Sequence, residues 1–190
     1  MTLLRITEFK DILFNKGFSD IYIFDFTGIG GRGKDNKENP GVNIQNKVDN
    51  INDMYKLISG HLTKYIELNF KNFSILGRSA GGGLSLQMVF LHGLVSIGLN
   101  VASPGYSYDG IKDGIINYTG DRKLPIRVCW AKEDKKNPET QPEKGNDGVN
   151  LKKILNDNEF VNFKYYSKSV GSDDDKITHR ILPILIENLV

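Results

Sequence analysis

The stretch NFSILGRSAGGGLSLQMVFLHG, residues 72–93, sets four glycines (Gly77, Gly81, Gly82, Gly83) around one serine, Ser79. Before the serine, FSIL (73–76) is a short apolar run that predicts a strand. After it, Leu84, Met88 and Leu91 recur at helical spacing and predict an amphipathic helix. GRSAG satisfies G-x-S-x-G, and a strand-to-helix turn is the context in which that pattern carries chemistry: the serine takes strained backbone angles at the tip of a sheet. Gly77 and Gly81 are expected to clear space for such a turn, and the Ala80 N–H, at the helix start, points where an oxyanion forms. A plainer alternative is a tight turn whose serine caps the helix, since serine is a preferred N-cap.

Outward from this turn, strands and helices alternate. On the N-terminal side, Ile6, Phe9, Ile12, Leu13 and Phe14 predict a helix stopped by Gly17. IYIFDF (21–26) reads as a buried strand entering a long polar loop. From Asn43 to Phe70 one apolar stripe predicts a long helix, interrupted at Gly60. On the C-terminal side, LVSIGLNVAS and PIRVCWA (125–131) read as strands separated by the loop PGYSYDGIKDG. KEDKKNPETQPEKGNDG then reads as a polar loop, VNLKKILND as a short helix, NFKYYS as a strand and RILPILIENLV as a terminal helix, with Pro183 in its first turn. This alternation predicts an α/β fold with a mainly parallel sheet and helices on both faces. The segment between LVSIGLNVAS and PIRVCWA is too short for a large lid.

The chain of 190 residues, 39% of them hydrophobic, suits a single domain over 1–190. A net charge of +2, with lysines interleaved among acids, forms no phosphate-binding stripe and argues against nucleic acid as a partner. No apolar stretch approaches the roughly 20 residues of a membrane span. The one cysteine, Cys129, cannot make an internal disulfide and reads as a buried thiol, which fits a reducing, cytoplasmic setting. Oligomeric state has no signature in the sequence.

A serine nucleophile needs a base, and the chain holds three histidines. His61 and His92 fall in or at the ends of helices and read as packing or surface residues. His179 follows the last strand, in a loop at the side of the sheet where strand C-termini meet in parallel α/β folds. Asp134 follows IRVCWA by a few residues, so Ser79, Asp134 and His179 stand in the order Ser, Asp, His. Asp109 is the alternative acid. Glu133 is adjacent to Asp134 but aimed differently, and Asp173–Asp175 reads as a solvated loop. A second glycine pattern, GIGGRG with Gly28, Gly30 and Gly33, matches G-x-G-x-x-G but runs into KDNKENPG, where Pro40 and Gly41 forbid the helix a dinucleotide site requires.

With these residues in place, the chain resembles the α/β-hydrolases over nearly its whole length. IYIFDFTGIGGRGKD resembles that family's strand and loop of the form DxRGxGxS, ILGRSAGG its nucleophile elbow, PIRVCWAKED the strand leading to its acid, and ITHRI its histidine segment. The resemblance implies a serine hydrolase acting on a small-molecule ester or related acyl substrate through an acyl-enzyme. Ser79 is then nucleophile, His179 base, Asp134 orienting acid and Ala80 N–H an oxyanion donor, with no metal or organic cofactor. It also implies a strand and an oxyanion loop ahead of the first helix. Only MTLLR stands there, so the chain reads as shortened at its N-terminus, and a hydrolase-like binding module is the alternative function. Tyr106 and Tyr108 are expected near an open cleft.

Overall fold

The computed structural model describes residues 11–22, 51–105, 108–135, 137–141, 146–172, 174, 178, 185 and 188–190. The chain divides into two compact units, Met1–Asp49 and Asn50–Val190. In the first, residues 11–15 are helical and Gly17 follows at φ 93°. The Gly17 N–H donates to Phe14 O at 2.9 Å and the Phe18 N–H to Leu13 O at 3.3 Å. This pair of bonds is the Schellman closure, which needs a left-handed residue and explains the glycine at the expected stop. Of the expected strand 21–26 only Ile21 and Tyr22 are described, neither in regular structure. The rest of it, GIGGRG and the start of the following helix lie outside the described residues.

In chain order the second unit contains α1 (Ile51–Asn69), β1 (Ser74–Arg78), α2 (Ala80–Phe90), β2 (Gly98–Ala102), α3 (Tyr108–Ile116) and β3 (Ile126–Ala131). There follow β4 (Thr140–Gln141), β5 (Asn146–Asp147), α4 (Gly148–Asp157) and β6 (Phe163–Lys168). The sheet runs β1-β2-β3-β6 and is parallel throughout, with Gly77 opposite Val101, Ala102 opposite Cys129 and Ala131 opposite Lys168. Helices α2, α3 and α4 bridge successive strands, as parallel pairing requires. Strand alternation divides the interior into two cores. Ile75, Leu99, Val101, Ile126, Val128 and Trp130 face α1–α4, whereas Ala102, Cys129 and Ala131 face Leu185, a helical residue on the opposite side. The architecture is therefore α/β, with helical residues on both faces.

Four expectations are corrected. The described part of α1 passes through Gly60 without a break; the glycine admits the His92 ring, whose Cε1 lies 3.3 Å from where a Cβ would stand. The helix after Ser79 is not amphipathic: α2 is buried at every residue from Gly82 to Phe90, because β1, β2, α1 and α3 surround it. PGYSYDGIKDG is not all loop, since residues 108–116 form α3. Ile111 and Ile115, four apart and fully buried, explain it. Burying each is worth about 1.5–3 kcal/mol, more than the roughly 1 kcal/mol that a mid-helix glycine such as Gly110 or Gly114 costs. This helix occupies the β2–β3 connection, and the described residues contain no large lid. The polar loop after β3 also holds the antiparallel pair β4–β5, missed in the sequence because each strand has two residues.

Candidate functional site

Ser79 is the single residue between β1 and α2, at φ 54° and ψ −125°. That conformation is nearly reserved for glycine and costs about 1–3 kcal/mol, so it persists only where the surroundings dictate it. They do so through the main chain. The Ser79 N–H donates to Ala102 O at 2.9 Å, while Ser79 O accepts from Gly83 N–H at 3.1 Å and Gly105 N–H at 3.0 Å. The side chain makes no capping bond, so Ser79 occupies the N-cap position without acting as a cap. The residue is half-buried at the C-terminal edge of a parallel sheet. Gly83 is the first residue of the turn to bond back, which leaves the Ala80 N–H among the helix donors that have no intrahelical acceptor.

The glycines divide the work differently from expectation. A Cβ at Gly77 would stand 2.4 Å from both Gly81 O and Ser85 Oγ, so helix and strand meet there as expected. At Gly81 nothing lies within 4 Å, and the second close approach belongs instead to Gly82, where a Cβ would lie 3.0 Å from Pro104 Cα.

Asp134 lies three residues beyond β3, at the same edge of the sheet, and is 2% exposed. Its Oδ1 accepts the Asn137 N–H at 2.8 Å, and its own N–H donates to Ala131 O at 3.2 Å, so the loop folds around the carboxylate. Asn137 also accepts from Trp130 Nε1 through its carbonyl at 2.8 Å and donates through Nδ2 to Ser103 O. Ser103, directly after β2, is fully buried at φ 41° and donates its N–H to Cys129 O at 2.8 Å. Asn137 and Ser103 escaped sequence reasoning because their contact spans 34 residues and follows no spacing rule.

Glu133 points away from this network. Its carboxylate accepts from Ser169 Oγ and from Val170 N–H at 3.0 Å, and these hydrogen bonds, the Ser169 hydroxyl first, hold its pKa below the usual glutamate value. Asp109 stands in the first turn of α3, after β2. His179 and Tyr106 lie outside the described residues. His92 packs between helices, its Nε2 2.9 Å from Ser59 Oγ and 3.1 Å from Lys56 O; burial lowers its pKa, with the Lys56 carbonyl opposing. His61 is exposed on α1. Cys129 is buried and free, its thiol pushed up to about 11 by desolvation against the opposing pull of Lys168. Among the described residues no group of three or more His, Cys, Asp or Glu could hold a metal ion. No described helix is long and apolar enough to cross a membrane.

No protein-family model and no curated protein matches the chain. Among solved structures it is similar to an alpha/beta hydrolase enzyme from the metagenome of sediments of the lagoon of Mar Chica, Morocco. The identity is 13%, the TM-score 0.43, and the match covers 70% of this chain and 68% of that one. It is also similar to a thermostable esterase, at 16% identity and TM-score 0.44, over 70% of this chain and 36% of the esterase.

Proposed function

We propose that this chain is a serine hydrolase of the α/β-hydrolase type, acting on esters or related acyl compounds through an acyl-enzyme. One observation carries the reading: Ser79, centre of G-x-S-x-G, is held in a strained conformation at a strand-to-helix tip while its hydroxyl makes no capping bond. Backbone strain of this kind clusters at functional sites, and a serine at the centre of G-x-S-x-G on such a turn is the expected nucleophile. In the proposed cycle the Ser79 Oγ attacks the acyl carbon as His179 takes its proton, and Asp134 orients and stabilises the imidazolium. The Ala80 N–H donates to the oxyanion; such a donor contributes on the order of 100- to 1,000-fold in rate. His179 then returns the proton to the leaving group, and water, activated by the same imidazole, releases the acid and restores Ser79. A lone cysteine, buried and without a disulfide, suits a reducing compartment such as the cytoplasm.

The test is covalent labelling by a fluorophosphonate, which reports an activated serine without requiring knowledge of the substrate. Wild type should be labelled at one site, Ser79→Ala not at all, and His179→Ala at least about 1,000-fold more slowly, in line with loss of a triad member. A folded wild-type chain that takes no label overturns the reading and leaves the scaffold as a binding module.

A further inference from the structure

The hydrogen bonds around Asp134 do more than fold its own loop. Asn137 joins three parts of the sheet edge: its N–H reaches the Asp134 carboxylate at 2.8 Å, its carbonyl accepts from Trp130 Nε1 at 2.8 Å, and its amide Nδ2 donates to Ser103 O. Ser103 stands between two residues that bond the Ser79 main chain, Ala102 directly before it and Gly105 two positions after it. Ala102 O accepts the Ser79 N–H at 2.9 Å, and the Gly105 N–H donates to Ser79 O at 3.0 Å. An unbroken chain of short contacts therefore runs from the serine backbone through the end of β2 to the Asp134 carboxylate, and Asn137 is its middle link. At 8% exposure the Asn137 amide has little water to substitute for a lost partner. The left-handed backbone of Ser103, at φ 41°, lies in the link that presents its carbonyl to that amide.

We propose that Asn137 is a positioning residue of the site: its amide fixes the acid relative to the serine, so that a base held by Asp134 meets the Ser79 hydroxyl in register. The inference rests on the triad reading of Ser79, Asp134 and His179. The bonds of Asn137 reach Asp134, Trp130 and Ser103, so its effect on the reaction runs through the acid. Its main-chain bonds to Asp134 and Trp130 survive truncation of the side chain, so Asn137→Ala severs the tie to Ser103 and leaves the acid in place but free to drift. A misplacement of about 1 Å at a catalytic group costs up to about 100-fold in rate.

Fluorophosphonate labelling, followed as a rate against pH on folded protein, tests this in wild type, Asn137→Ala, Asp134→Ala and the double variant. Asn137→Ala should label about 10- to 100-fold more slowly than wild type. Its pH midpoint should fall, because a displaced carboxylate stabilises the imidazolium less. The double variant should be no slower than Asp134→Ala, since a residue acting through the acid has nothing to add once the acid is gone. Equal rates and midpoints for Asn137→Ala and a labelled wild type overturn the proposal, as do additive losses in the double variant. A folded wild type without label overturns the triad reading and this proposal with it, an outcome distinct from both. Should Asn137→Ala not fold, Asn137→Ser, whose hydroxyl is too short for the Ser103 carbonyl, carries the same expectations. Failure of both to fold assigns Asn137 a purely structural role and overturns the proposal.

Discussion

Ser79 shows how far one residue's conformation depends on its neighbours' lack of side chains. The serine is held at φ 54° because β1 ends against the first turn of α2, and that approach is possible only without a Cβ at Gly77, where Gly81 O and Ser85 Oγ would lie at 2.4 Å. Gly77→Ala must push main chain aside and should cost about 1–3 kcal/mol or more in urea unfolding. The other outer glycine of G-x-S-x-G behaves in the opposite sense. Gly81 has open space at its Cβ position and no positive φ, and it lies inside a helix. There alanine is favoured over glycine by up to about 1 kcal/mol, so Gly81→Ala should leave stability unchanged or raise it. Two glycines that look equivalent in the sequence thus have opposite predicted signs. Equal destabilisation by both would contradict this division of roles within the turn.

Among the elements, α3 depends on a close approach that its own composition conceals. A Cβ at Gly114 would lie 2.3 Å from Phe90 O, so the helix docks flush against the end of α2 only because that position is bare. Gly114→Ala gains helix propensity, yet it should lose about 1–3 kcal/mol overall through overpacking. Amide hydrogen exchange should show the loss locally, with protection of Ile111 and Ile115 falling before that of β2 and β3. Retained protection there would mean that the contact yields without cost. The same element marks where the sequence stops being legible. FSIL, IRVCWA and NFKYYS stand out as strands because apolar, β-branched and aromatic residues run together, and β1, β3 and β6 overlap those stretches. YDGIKDGII does not stand out as a helix, because its glycines and acids match turn chemistry and only Ile111 and Ile115 signal burial. Ser79 is legible through a spacing pattern, and Asp134 through its place after a strand. Asn137 is not, since its position among Trp130, Asp134 and Ser103 exists only once β2 and β3 are paired.

At the scale of the whole second unit, the C-terminal edge of the sheet is held by side chains that cross between loops, and two carboxylates tie β6 and its exit to the loop after β3. Glu139 accepts from Tyr165 OH at 2.5 Å and from Ser167 Oγ at 2.9 Å, inside the layer; burial first, and then this carboxylate, push the Tyr165 phenol upward. Glu133 does the same at the surface, accepting from Ser169 Oγ and Val170 N–H just past the end of the strand. Those bonds depress the Glu133 pKa in the folded chain, so the unfolded chain takes up that proton more readily. Stability rises with pH wherever the unfolded state binds more protons. The Glu133 contribution is therefore complete above the ordinary glutamate value of about 4.3 and fades as the pH falls through the folded value. Thermal unfolding of wild type and Glu133→Gln across pH 3–7 isolates it, because every other carboxylate titrates in both proteins. Glu133→Gln should melt lower than wild type at pH 7, and the gap should close as the pH drops below about 4. A gap that stays constant to pH 3 would show that the amide loses the Ser169 and Val170 contacts by geometry alone, and that the ionised carboxylate plays no part in joining the two loops.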